Sequence, residues 1–402
     1  MKLQAVHIPP GLRGDDLPVG VSGAVDIVIE DGKVGKVLPS DASPRGVLLS
    51  APVDLHTHID KNYCVHEVGA AEGDLFAAIR RMAVYNQNLA AHLRVERMAR
   101  ALEEVWQFGT RALRTHIDWG EPEAPPALAA ACRLREQWHG RIDLQIVALT
   151  PLDVFAESEA AERIGEQVAA AGAVLGAFVY RNDDLHAKLD RVFAAAKRHG
   201  SMLDFHVDEG LDADARGLEA IAELTLCHGL EGRVVCGHAC SLGIQPAGDA
   251  ANTIRLCAEA GIHLVALPTT NLYLQGAWDG TPVQRGITRM REARAAGIGM
   301  SVATDNVQDG FYPYGSYDLI ETFSLGVQVA HLAPAMNWLE AITVAPARAM
   351  GLVWDGRIAP GCPADLLLLS ATADHELLTP AGRSRTVIRS GRALTPLPPA
   401  QV

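Results

Sequence analysis

The 402-residue chain has little of what marks secreted, membrane or nucleic-acid-binding proteins. Its seven cysteines are scattered and odd in number, so they do not read as a disulfide framework. Cys236 and Cys240 are four apart, but no second thiol pair completes a metal site. Reduced thiols and a cytoplasmic location are expected. The start MKLQAVHIPP lacks a continuous apolar core, so no secretory signal is expected. No uncharged apolar run approaches the roughly 18 residues that span a bilayer. Positive charge is scarce: 35 Lys and Arg stand against 48 Asp and Glu, a net charge of −13, with no basic run. Nucleic acid and membranes are therefore not expected partners. Aromatics are only 5% of residues and scattered, and Trp119 and the others read as core.

What is present is a globular composition. Apolar residues make up 49% and charged residues 21%, which suits a soluble protein with a sizeable core. The two ends read alike. AVDIVIEDGKVGKVLP has apolar runs around Asp31-Gly32, and SRTVIRSGRAL has the same pattern around Ser390-Gly391. Both are hairpin signals. GCPADLLLLS (361–370) adds a further strand after a Gly/Pro turn. A small β-sandwich domain built from both termini, residues 1–50 and 355–402, is expected.

The middle alternates strand with helix. Apolar β-rich runs occur in LLSAPVDLHTHID and at 110–119, 141–150, 173–180, 201–210, 232–240, 261–270 and 297–306. Helical patterns such as 93–109 and 189–200 lie between them. Eight alternations over roughly 300 residues predict an α/β fold, a (β/α)₈ TIM-type barrel spanning 51–354. A doubly wound open sheet is the runner-up, but the first strand is followed by no glycine-rich phosphate turn.

In such a barrel the chemistry gathers where the strands end. Here the first strand ends in His56 and His58, the second in His116 and Asp118, and the fifth in His206, Asp208 and Glu209. The sixth ends in His238 and the eighth in Asp305 and Asn306. Side chains alternate along a strand, so His56 and His58 share a face while Thr57 points away. One histidine at a strand end is usually structural, and one aspartate there means little. Several strand ends contributing imidazole and carboxylate together suit zinc or iron(II). His66, His92, His139, His199 and His228 fall in helices or loops and read as ordinary surface or capping residues.

The ordered set DLHTHID, DFHVDE, CGHA and ATDN resembles the amidohydrolase superfamily. The wider pattern is similar to its bacterial cytosine deaminase branch, through RTHID, DLQIVA, NLYLQG, RGITRM, GFYPYG and the tail GRIAPGCPADLLLL. The resemblance implies one divalent metal ion, Zn²⁺ or Fe²⁺, held by His56, His58, His206 and Asp305. It implies that Glu209 shuttles protons, that His238 orients the reacting water, and that Asp305 also accepts a proton. The fourth strand, AVLGAFVYRN, has no lysine before its end to bridge two metals. The implied activity is hydrolytic deamination of an amino-substituted N-heterocycle, a cytosine-like pyrimidine or a related ring, with release of ammonia. Hydrolysis of a cyclic amide or an N-alkylamino heterocycle of s-triazine type is the alternative. A non-catalytic ligand-binding relative is a third reading, but it would have lost a ligand or the shuttle, and none is missing here.

The substrate-reading positions depart from that branch. A glutamine that reads the pyrimidine amide edge is replaced by Pro151, or by Leu152 if the register shifts. A second aspartate after the metal ligand is replaced by Asn306. Unlike an ionised aspartate, asparagine can donate as well as accept. Residues 268–285 form a long non-periodic stretch, a lid with Gln275 as reader or a plain connector. Phe311 and Tyr312 follow the eighth strand as wall or packing residues. The expected partner is a small heterocyclic substrate, and a homo-oligomer is compatible with the sequence.

Overall fold

The first four strands, β1 (Lys2–His7), β2 (Ala24–Glu30), β3 (Lys33–Ser40) and β4 (Gly46–Ser50), lie outside the barrel. The β2–β3 turn places Asp31 at φ 49° and Gly32 at φ 74°. Two consecutive left-handed residues are what a type I′ hairpin turn requires, and this turn matches the natural twist of the strands. The computed structural model describes residues 1–70 and 75–395.

Eight parallel strands follow: β5 (Val53–Thr57), β6 (Ala112–Asp118), β7 (Asp143–Pro151), β8 (Val174–Val179), β9 (Leu203–Val207), β10 (Val234–His238), β11 (His263–Ala266) and β12 (Gly299–Val302). They pair in sequence order, with helices between them. The barrel closes where β5 meets the end of β12. Thr57 bridges Asp305, Asp305 N–H donates to the His56 carbonyl at 2.9 Å, and Thr57 Oγ1 donates to the Asp305 carbonyl at 2.7 Å. Buried Asp54 fastens the same seam, accepting from Thr304 N–H at 3.2 Å and Thr304 Oγ1 at 2.5 Å.

Burial on both faces explains why the barrel strands read as continuous apolar runs. In β9, Leu203, Phe205 and Val207 belong to the apolar core, and Phe205 stacks on Phe193 at 5.8 Å. Burying such a side chain contributes about 1.5–3 kcal/mol. The alternate positions, Asp204 and His206, are thereby turned into the barrel. The same alternation sends His56 and His58 to one side.

The chain returns through β13 (Leu366–Leu369), β14 (Arg385–Arg389) and β15 (Arg392–Ala393). The terminal strands form one seven-stranded sheet, β15-β14-β13-β4-β1-β2-β3. Ser390 and Gly391 repeat the two-residue left-handed turn, at φ 46° and 76°. Arg385 in this sheet forms a two-pronged ion pair with Asp318, which also caps the helix Leu319–Val329 beside the barrel. We propose that the chain divides into 1–50 with 355–402 and 51–354; residues 396–402 lie outside the described residues. Among the described residues no helix is long and apolar enough to cross a membrane.

One stretch differs from its sequence reading. Within 268–285, Pro268–Leu274 is a short helix, opened by a proline at its first turn. Proline there has no N–H to leave unpaired and its φ is already helical.

Candidate metal centre and active site

Imidazoles from distant parts of the chain meet inside the barrel mouth. His56 Nε2 lies 3.1 Å from His206 Nε2, and His206 Nε2 lies 3.2 Å from His58 Nε2. Asp305 Oδ1 is 3.3 Å from His58 Nε2 and 3.6 Å from His56 Nε2. All four side chains are buried. A tetrahedral ion with bonds of about 2.0–2.1 Å would space its ligands by about 3.3 Å. The observed spacings bracket that value.

The donor chemistry fits a cation as well. Burial, reinforced by the neighbouring imidazoles and by Arg114 or Lys61, holds His56, His58 and His206 well below the ordinary histidine value. The rings are therefore neutral, with lone pairs to offer. Asp305 Oδ1 is buried without a hydrogen-bond donor. Such an oxygen is costly to leave unpaired, and a metal ion would satisfy it. His56, His58, His206 and Asp305 could hold one divalent ion. Two other histidines come close. His116 sits 4.0 Å from the His56 ring, and His238 can group with His56 and Asp305.

His238 and Glu209 flank the cluster. His238 Nδ1 faces Asn271 Oδ1 at 3.1 Å and Glu209 Oε1 at 3.5 Å. An amide oxygen only accepts, so Nδ1 carries the proton and Nε2 is left with its lone pair. Burial pushes the Glu209 carboxyl well above its ordinary value, and the Asp305 charge pushes the same way. The protonated, neutral form of Glu209 is thereby favoured beside the cluster. His238 and Asp305 both adopt left-handed backbone, at φ 69° and 63°. Such conformations are strained for residues other than glycine and tend to gather at functional sites.

A cavity of about 560 Å³ opens over these groups. Asn306, Pro151, Phe311 and Trp119 line it. Trp119 is therefore both core, as read from the sequence, and wall. Leu152 is a correction: it is fully buried in the apolar core and does not line the cavity. The turn after β7 directs Pro151 outward and Leu152 inward. Gln275 is a second correction. Its amide donates to the Glu209 carbonyl at 3.3 Å, and it lines a neighbouring groove instead of the cavity. Asp208 is structural, accepting from Gly217 and Leu218 N–H at 3.1 and 2.9 Å to hold the start of a helix.

Some residues at the site escaped the sequence reading. Lys61 lines the cavity, is ion-paired with Asp118, and has Nζ 5.4 Å from the Phe311 ring centre. Burial opposes its charge, but the Asp118 and Asp60 carboxylates override that and hold the ammonium above its ordinary range. The motif HIDKN, placing a lysine three residues after His58, was the available signal. Beneath the histidines, Arg114 pairs with Asp204 at 2.7 Å, and His116 Nε2 lies 3.3 Å from the other Asp204 oxygen. Asp309 accepts from Asn306 Nδ2 at 2.7 Å. Burial lifts Asp309 to about 7, against backbone N–H bonds, Asn306 and Lys61 that favour its ionised form.

A barrel with imidazoles and a carboxylate converging at its C-terminal mouth, and an acid beside them, defines the class of metal-dependent barrel hydrolases. Residues 68–394 match the amidohydrolase family. The chain belongs to that family and is a hydrolase acting on carbon–nitrogen bonds. It is 36% identical over 381 residues to the pterin deaminase of Rhizobium rhizogenes, covering 92% of this chain and 87% of that one. It is 25% identical over 390 residues to the N-isopropylammelide isopropyl amidohydrolase of Pseudomonas sp. (strain ADP), covering 94% and 93%. The crystal structure of 5-methylcytosine deaminase from Klebsiella pneumoniae liganded with phosphonocytosine is similar, with a TM-score of 0.84, 26% identity and 98% coverage of each chain.

Proposed function

We propose that the protein hydrolytically deaminates an amino-substituted N-heterocycle, giving the ring carbonyl compound and ammonia. The observation that carries this reading is the placement of Glu209 and His238, 3.5 Å from each other, beside the His56/His58/His206/Asp305 cluster, with burial favouring the neutral form of both. The named activities of the relatives, a pterin deaminase and a 5-methylcytosine deaminase, support it.

A bound divalent ion, Zn²⁺ or Fe²⁺, supplies a water acidic enough to react near neutral pH. The remaining work falls to this chain's side chains. Glu209 gives its proton to a ring nitrogen, which makes the adjacent amidine carbon electrophilic. Asp305 and the free Nε2 of His238 take up protons from the attacking water. Glu209, reprotonated from that pool, delivers a proton to the departing amine. Proton transfers of this kind contribute about 10²–10⁴ in rate. Trp119, Pro151 and Phe311 give the ring an apolar wall.

A second reading, release of an alkylamine from an N-alkylamino ring, is favoured by the likeness to the N-isopropylammelide hydrolase. Incubating metal-loaded protein with aminopyrimidines, aminopteridines and N-alkylaminotriazines separates the two. Ammonia supports deamination, alkylamine supports the second reading, and neither product from any of them refutes both.

A further inference from the structure

Asn306 lines the cavity directly after Asp305, and its amide has two different ends. Which end meets a substrate is set by Asp309. Asp309 Oδ1 accepts from the N–H groups of Phe311 and Tyr312 at 2.8 and 3.0 Å. Its Oδ2 is then left to accept from Asn306 Nδ2 at 2.7 Å. An ionised carboxylate has nothing to donate, so the Asn306 amide cannot turn over without placing oxygen against oxygen. The turn Asp309–Tyr312 thus holds the NH₂ end away from the cavity. The carbonyl end, Oδ1, is on the other side of an amide that lines the cavity, and it takes part in none of the hydrogen bonds among the described residues.

We propose that Asn306 is a specificity residue, a fixed neutral acceptor held in that sense by Asp309. The substrate it selects is a ring with an N–H beside the attacked carbon. A 2-amino-4-oxo ring has that N–H between its amidine carbon and its carbonyl. A 4-amino-2-oxo ring has a bare nitrogen on one side of the attacked carbon and a ring carbon on the other. The proposal rests on the deaminase reading above and names its substrate class. A buried acceptor that loses its partner costs about 1–3 kcal/mol, or roughly 5–150-fold.

The test uses two pairs of isomers on metal-loaded protein at alkaline pH, where Asp309 is ionised. Isocytosine is compared with cytosine, and pterin with isopterin, by ammonia release. A kcat/KM about tenfold or more in favour of the 2-amino-4-oxo isomer of a pair supports the proposal. In Asp309→Asn, Oδ1 can keep both backbone bonds while the new NH₂ faces Asn306. Asn306 must then reverse and offer its own NH₂ to the cavity. The isomer preference of that variant should fall to near unity or invert. An unchanged preference in a folded variant overturns the proposal. If the variant does not fold, the wild-type ratio decides alone. Ammonia released with a preference for the 4-amino-2-oxo isomer overturns the proposal and leaves the deaminase reading standing. No ammonia from any isomer overturns both.

Discussion

His56 Nε2 and His206 Nε2, 150 positions apart in the chain, stand 3.1 Å from each other inside the barrel mouth. Two neutral imidazoles at that distance can share one proton, but that would leave His58 and Asp305 unsatisfied. A cation satisfies all four. His206→Ala should therefore lower bound metal from about one ion per chain to a small fraction, since structural and catalytic sites rely on a full ligand set. Elemental analysis of the purified variant reads this directly. Full occupancy would show that His206 is not a ligand.

Glu209 stands outside the ligand cluster, so its role separates from metal binding. Glu209→Gln should keep the metal and the fold while losing about 10²–10⁴ of turnover. Metal content and ammonia release, measured on the same sample, check both halves. Near-normal turnover would remove Glu209 from proton transfer.

Arg114 and Asp204 form a fully buried ion pair below the histidines. Burial lifts Asp204 to about 7 even with Arg114 opposing it. Arg114→Ala strands a buried carboxyl and should cost about 3–5 kcal/mol of stability. Chemical unfolding midpoints measure it. Replacing both, Arg114→Met with Asp204→Leu, should recover part of the loss, because no buried charge is then unpaired. A double variant less stable than Arg114→Ala would contradict this.

The Lys61–Asp118 pair gives a pH dependence with a definite sign. Burial works against ionised Asp118, but Lys61 wins and holds it below the ordinary carboxylate value. Its contribution is thus complete above that ordinary value and is lost as pH falls through the lower, folded-state value. Lys61 is raised, so its share persists until strongly alkaline pH. Asp118 is 42% exposed, and solvent screening reduces the pair to about 0.2–1 kcal/mol. Asp118→Asn should be destabilised by that amount at neutral pH and should converge with the parent protein in strong acid. Denaturation curves across pH would show a constant gap if the pair were not responsible.

Much of this was legible in the sequence because barrel strands carry two signals at once. VDLHT and LDFHV are apolar on the helix-facing side and carry histidine on the other, so period-two alternation located both the strand and its inward-facing histidine. Lys61, Asn271 and Asp309 were not legible, because what they do depends on contacts between loops distant in the chain. Leu152 and Gln275 misled for a related reason. Proximity in sequence to a site says nothing about whether a turn points a side chain into the cavity or into the core.

We propose that His56, His58, His206 and Asp305 bind one ion that the chemistry needs. The most direct measurement is ammonia release from an amino-heterocycle before chelation, after chelation, and after adding back Zn²⁺ or Fe²⁺, with metal content followed throughout. Loss of activity in step with the metal, and its return at about one equivalent per chain, is the predicted result. Undiminished activity in protein stripped of metal would contradict the account.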